Sequence, residues 1–234
     1  MDGIFKILLY GDSTTGAKTS LMQRIVYNEF TEDNLSTSGI DTLSIFMQNH
    51  LGEKVKLKFI DTAGQERFQS ISQNYIKRSH CIILGYDITS RKTFESIVNI
   101  HYNTVRSIVG DFALIYLVAN KIDLYEEAQV SEEEGRSYAK EKNIKFYQIS
   151  CKTGEGIDIL LEDIVNSLTN KFPSIKEVKK ENKENKIVSN KNKTKQKNNK
   201  EIKINDNNKQ KKNIKRHYIN FNNSDKNYIK ILEK

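Results

Sequence analysis

Proline occurs once in the 234 residues, at Pro173, and tryptophan not at all. Cysteine occurs twice, at Cys81 and Cys151, too few for a disulfide framework, so a reduced, intracellular compartment is expected. Long apolar runs are also missing. Stretches such as Cys81-Ile82-Ile83-Leu84 are far too short to span a bilayer. The opening Met1-Asp2-Gly3 has no signal-peptide character, and Gly3 is not placed for myristoylation. These absences lead to the expectation of a cytoplasmic protein, at most peripheral on a membrane.

Charge is plentiful and unevenly spread. The net charge is +8 over the whole chain. Residues 175–234 hold 19 Lys and Arg against 7 Asp and Glu, whereas residues 1–174 hold 19 against 23. A mildly acidic body therefore carries a strongly basic tail. The division falls at 1–173 and 174–234. Beyond Phe172-Pro173 the chain is dominated by Lys and Asn, with no apolar stripe long enough to bury, and is expected to be disordered.

Within the body, hydrophobic periodicity alternates between two patterns. Phe5–Tyr10, Leu43–Phe46, Val55–Ile60, Cys81–Leu84, Leu114–Val118 and Lys145–Ser150 read as strands. Val55, Leu57 and Phe59 alternate with Lys56 and Lys58, which suggests a sheet-edge strand with one wet face. Cys81–Leu84 and Leu114–Val118 are continuous apolar runs, as in central strands covered on both sides. Phe94, Ile97, Val98, Tyr102, Val105 and Val109 mark one helix. Ile157, Leu160, Leu161, Ile164, Val165 and Leu168 mark another, which stops at Phe172-Pro173. Strand and helix alternate with one early hairpin, so the expected fold is α/β, a mostly parallel sheet with helices on both faces.

Four segments carry chemistry, each just after a predicted strand. The first is Gly11-Asp12-Ser13-Thr14-Thr15-Gly16-Ala17-Lys18-Thr19-Ser20, which opens a helix. Free N–H groups and the positive dipole end there suit phosphate. Lys18 would reach the β- and γ-phosphates and the Thr19 hydroxyl would ligate Mg²⁺. The match to the phosphate-loop pattern is imperfect. Ala17 stands where Gly should precede the lysine, and Gly11 to Lys18 is one residue too long. On this segment alone, an ordinary strand-to-helix turn with a surface lysine fits as well.

The second segment is Asp61-Thr62-Ala63-Gly64-Gln65-Glu66. Its Asp61 can hold Mg²⁺ through water, the Gly64 N–H can meet the γ-phosphate, and Gln65 can orient an attacking water. The third is Asn120-Lys121-Ile122-Asp123. The Asp123 carboxylate can accept hydrogen bonds from N1–H and the 2-amino group of guanine. Adenine offers neither donor and would leave a buried carboxylate unpaired. Lys121 can pack along the base and Asn120 can tie loops together. In the fourth, Ser150-Cys151-Lys152-Thr153-Gly154, backbone N–H groups could meet the guanine O6 and Lys152 could cover the base. Cys151 also fits as a small buried residue without chemistry. In an open α/β sheet, strand carboxyl ends share one rim, where ligands bind.

With these residues in view, the chain resembles a small GTPase of the Ras superfamily, most closely a Rab, over residues 4 to about 172. Asp61–Phe68 reads DTAGQERF, Tyr86-Asp87-Ile88-Thr89 matches the Rab YDIT segment, and Ser36-Thr37-Ser38-Gly39-Ile40-Asp41 resembles the Rab switch I. The resemblance implies a six-stranded phosphate-loop fold and a GTP/GDP cycle, with slow GTP hydrolysis. It makes Thr37 the switch threonine, a Mg²⁺ ligand with Thr19 and Asp61. It also implies an exchange factor, a GTPase-activating protein and effectors, a role in vesicle traffic, and a place on the cytosolic face of endomembranes.

Departures from the family pattern are several. Ser38, Leu43 and Ile60 differ from the usual residues on or beside the effector surface. Ile76-Lys77-Arg78-Ser79 copies the Rab YRGA segment poorly. No cysteine follows Cys151, so the usual prenyl anchor is not expected. The crowded Thr14-Thr15 loop leaves open a second function, a guanine-nucleotide-binding scaffold with little hydrolysis. An adenine-nucleotide enzyme is disfavoured by Asp123. The tail has three open readings: a solvated extension, attraction to anionic membrane, or phosphate contacts with nucleic acid. The last is weakest, since aromatics there are few (Tyr218, Phe221, Tyr228) and no recognised motif is present.

Overall fold

Strand β1, Ile4–Tyr10, sends successive side chains to opposite faces of a sheet. Phe5, Ile7 and Leu9 enter one core and Leu8 the other. The same division recurs in β4, Cys81–Asp87, where Cys81 and Ile83 face the first core and Ile82 and Leu84 the second. Being buried on both sides explains why these segments read as unbroken apolar runs. The computed structural model describes residues 4–12, 17–31, 40–62, 69–173, 218–220 and 229–231.

Six strands form the sheet in the order β2-β3-β1-β4-β5-β6. The remaining strands are β2, Ile40–Gln48; β3, Lys54–Thr62; β5, Leu114–Asn120; and β6, Lys145–Gln148. All neighbouring pairs are parallel except the β2–β3 hairpin. Helices α1, Ala17–Tyr27, and α6, Ile157–Lys171, cover the first core. Helices α2, Gln69–Arg78; α3, Arg91–Ser96; α4, Tyr102–Val109; and α5, Glu132–Glu141, cover the second. The α6 stripe predicted from periodicity, Ile157 to Leu168, is buried throughout. Each such side chain contributes roughly 1.5–3 kcal/mol on burial.

Two expectations are corrected. β3 is not an edge strand, because β1 and β2 flank it. Its alternation comes from one half-covered face, on which Lys56 and Lys58 stay partly exposed while Val55, Leu57 and Phe59 are buried. The helix expected over 94–109 is interrupted. A π-helical turn, Ile97–His101, separates α3 from α4. The five-residue step from Ile97 to Tyr102, both buried, is too long for one turn of α-helix, and the π turn absorbs it.

Of the basic tail, the described residues are two short antiparallel strands, β7, Tyr218–Asn220, and β8, Ile229–Ile231. The expectation of disorder over the rest of 174–234 lies outside the described residues. Among the described residues no helix is long and apolar enough to cross a membrane.

Candidate functional site

The carboxyl ends of β1, β3, β4, β5 and β6 open on one rim, and polar side chains gather there. β1 is followed by Gly11, whose φ of +146° suits glycine. Lys18, in the first turn of α1, reaches back across this turn. Its Nζ donates to the carbonyls of Gly11 at 2.9 Å and Asp12 at 2.7 Å. Burial pushes the Lys18 pKa down, and the nearby charges of Asp61 and Asp12 oppose that. A shallow cleft lies beneath, lined by Lys18, Asn120, Gly85, Leu9, Ile83 and Val118.

Asp61, at the end of β3, is fully buried, and its Oδ2 accepts a hydrogen bond from Thr19 Oγ1 at 2.6 Å. A hydroxyl and a carboxylate are hard oxygen donors of the kind Mg²⁺ takes, usually together with waters and substrate phosphates. The residues present therefore fit a magnesium ion. Among the described residues no group of three or more His, Cys, Asp or Glu could hold a metal without such help. Ala17 begins α1 and Ser20 is buried within it.

Across the cleft, Asn120 ends β5, and its Oδ1 accepts from the Cys151 N–H at 3.1 Å, joining the loops after β5 and β6. The Ser150 hydroxyl donates to Asp123 Oδ1 at 2.5 Å and accepts from the Thr153 N–H at 3.0 Å. That bond fixes one carboxylate oxygen and leaves the carboxylate acceptor capacity for a ligand. Lys121 adopts a left-handed backbone, φ 68°, and its Nζ pairs with Asp87 Oδ2 at 2.6 Å. Lys152 is exposed at the mouth. Cys151 is buried, and burial pushes its pKa up to about 12, so it stays a neutral thiol at physiological pH.

Asn120, Lys121, Asp123, Ser150, Cys151 and Lys152 are thus brought together on one side, and Lys18, Thr19 and Asp61 on the other. Ser13, Thr14, Thr15, Gly16, Thr37, Gly64 and Gln65 lie outside the described residues. Three contributors escaped the sequence reading as site residues. Arg24, on α1, donates to the Cys151 carbonyl at 2.7 Å and the Lys152 carbonyl at 2.6 Å, clamping the last loop. Asp87 orients Lys121, and its Oδ1 accepts from the Thr89 N–H and hydroxyl at 2.9 and 2.7 Å. The strand-end rule that flags Asp61 could have flagged Asp87. His101, on the π turn, bonds Asp12. Nothing local in the sequence marks Arg24 or His101.

The family model for Ras matches residues 6–170, well over half the chain. The chain belongs to the Ras family. Similar proteins include the Ras-related protein RabC of Dictyostelium discoideum, 35% identical over 172 residues, covering 71% of this chain and 87% of that one. The Ras-related protein SEC4 of Candida albicans is 36% identical over 170 residues, covering 73% and 80%. This Ras-family chain is accordingly a Rab-like small GTPase. It binds guanine nucleotide and hydrolyses GTP.

Proposed function

We propose that this Rab-like GTPase is a regulatory switch in vesicle and membrane traffic, alternating between GTP- and GDP-bound forms. The observation that supports the site assignment is the convergence on one rim of a buried lysine, a buried Asp61 bonded to Thr19 and a hydrogen-bonded Asn120–Cys151, Asp123–Ser150 knot. In this reading Asp123 reads the guanine edge, held in aim by Ser150. Lys121 and Lys152 flank the base, and the Cys151 N–H stays anchored by Asn120.

Lys18 receives the β- and γ-phosphates together with the backbone of Ser13, Thr14, Thr15, Gly16, Ala17, Thr19 and Ser20. Thr19, Thr37 and Asp61 would hold Mg²⁺, which supplies charge neutralisation at the phosphates when bound. Gln65 orients the attacking water, and the Gly64 N–H meets the γ-phosphate. Thr37 and Gln65 would sense the γ-phosphate, which is how effectors would tell the two forms apart. An exchange factor and an activating protein would set the two rates. The basic tail adds attraction to anionic membrane surfaces.

One feature favours a second reading. The phosphate loop is a residue longer than the pattern and carries Thr14-Thr15, which suits a module that holds guanine nucleotide with little turnover. Single-turnover hydrolysis of bound GTP separates the two. Gln65→Leu should slow the first-order rate by about ten- to a hundredfold. An unchanged rate would remove Gln65 from the mechanism and favour the binding module.

A further inference from the structure

The Asp12 peptide is held from two directions. Its backbone carbonyl accepts from Lys18 Nζ at 2.7 Å, and its side-chain Oδ1 bonds His101 Nε2 at 2.8 Å, from 89 residues further along the chain. Both side chains are largely buried, 16% exposed for His101 and 25% for Asp12. The Tyr10 ring meets the imidazole edge-on, with centroids 5.1 Å apart and planes at 80°. The Asp12 carboxylate can only accept, so the ring serves it as an Nε2–H donor, and the buried Nδ1 has no hydrogen-bond partner among the described residues. The His101 bond holds the Asp12 carboxyl below the usual carboxylate range, and Ser96 contributes a second hydrogen bond in the same direction.

His101 closes the π-helical turn Ile97–His101. A single extra residue in a helix rotates everything beyond it by roughly 100°. The π turn takes up that residue, so Ile97 and Tyr102 both stay buried while His101 meets the loop after β1. π turns are rare and concentrate at functional sites. An ionised Asp12 at the head of a loop meant for polyphosphate is a like charge that would weaken binding if it faced the ligand.

We infer that His101 is a positioning residue for the phosphate half of the site: through Asp12 it fixes the peptide that stages Lys18, and it ties the Asp12 carboxylate to the π turn. This rests on the reading of Lys18 as the phosphate ligand. The role is specific to phosphates that Lys18 reaches. Binding of GDP should depend on it, whereas binding of GMP, which lacks the β-phosphate, should not.

The test is competition of GDP and GMP against a fluorescent GDP analogue on the full chain. His101→Ala should weaken GDP about five- to tenfold, the net worth of one ordinary hydrogen bond felt at the phosphates only through Asp12, and leave GMP within about twofold. His101→Gln, whose amide N–H can stand in for Nε2–H, should restore most of the GDP affinity. In an Asp12→Ala background, His101→Ala should add no further loss. Should the alanine variant fail to fold, His101→Phe keeps a ring against Tyr10, removes the donor and carries the same expectations. Equal losses for GDP and GMP, an unchanged GDP affinity, no rescue by Gln, or an undiminished loss without Asp12 would each overturn the inference. Lys18→Ala guards the reading beneath it. If that variant leaves GDP affinity intact, the phosphate-loop reading falls and the inference with it. If Lys18→Ala weakens GDP while His101→Ala does not, the inference alone falls.

Discussion

At Gly11 the chain leaves β1 with φ +146°, and a Cβ there would sit 2.8 Å from the Gly85 carbonyl oxygen. The neighbour is backbone in a central strand and cannot swing aside. Glycine at position 11 therefore lets the turn after β1 pass close to the backbone of β4. Gly52, in the β2–β3 turn, offers a control: its φ is +74°, but nothing lies within 4 Å of a Cβ built on it. Gly52→Ala should cost only the left-handed backbone penalty, about 1–2 kcal/mol. Gly11→Ala adds the clash and should lower the unfolding free energy by about 2–4 kcal/mol. Urea titration of both variants checks the difference, and equal losses would show that the approach to Gly85 is relieved cheaply.

Elements show what the sequence could and could not reveal. The six strands and the alternation of helix and strand were legible because burial on two faces leaves continuous apolar runs, and burial on one face leaves periods of three to four. The knot of Asn120, Asp123, Ser150 and Cys151 was legible in part. Asn120 ends β5, Asp123 lies in the helical turn just beyond it and Ser150 two residues past β6, but the Ser150–Asp123 bond crosses 27 residues of chain and follows from no local pattern. Ile60, marked as a departure beside the effector surface, is only 3% exposed and packs in the second core, so it offers a partner little. The π turn left no mark in the periodicity, since Val98 to Tyr102 is an ordinary four-residue step. Gly135 in α5 was likewise silent. A Cβ there would lie 2.4 Å from Tyr86 Oη and 2.8 Å from the Phe146 ring, which is how α5 comes close to β4 and β6. Alanine favours a helix interior over glycine by about 1 kcal/mol, whereas overpacking costs about 1–3 kcal/mol. Both contacts fall on buried or half-buried ring groups with little room, so Gly135→Ala should be destabilising on balance. A raised denaturation midpoint would show that α5 moves out freely.

On the scale of the whole molecule, charge separates more cleanly than length. Residues 1–174 hold four more acidic than basic side chains, and residues 175–234 hold twelve more basic than acidic. Near an anionic surface each Lys or Arg contributes about 1 kcal/mol within a Debye length. Four to six of them in contact would give about 4–6 kcal/mol, which corresponds to weak, reversible attachment with a Kd of roughly 0.05–1 mM. Such attachment must be salt-sensitive, because the Debye length falls from about 8 Å at physiological ionic strength to about 3 Å at 1 M. The acidic body would be repelled by the same surface, so attraction has to come from the tail. The full chain should therefore pellet with phosphatidylserine vesicles at low salt and return to the supernatant near 1 M. A chain ending at Pro173 should stay in the supernatant throughout. Vesicles of phosphatidylcholine alone should retain neither. Equal pelleting of the two chains would remove the tail from membrane attachment, and salt-resistant pelleting of the full chain would point to apolar insertion instead of charge.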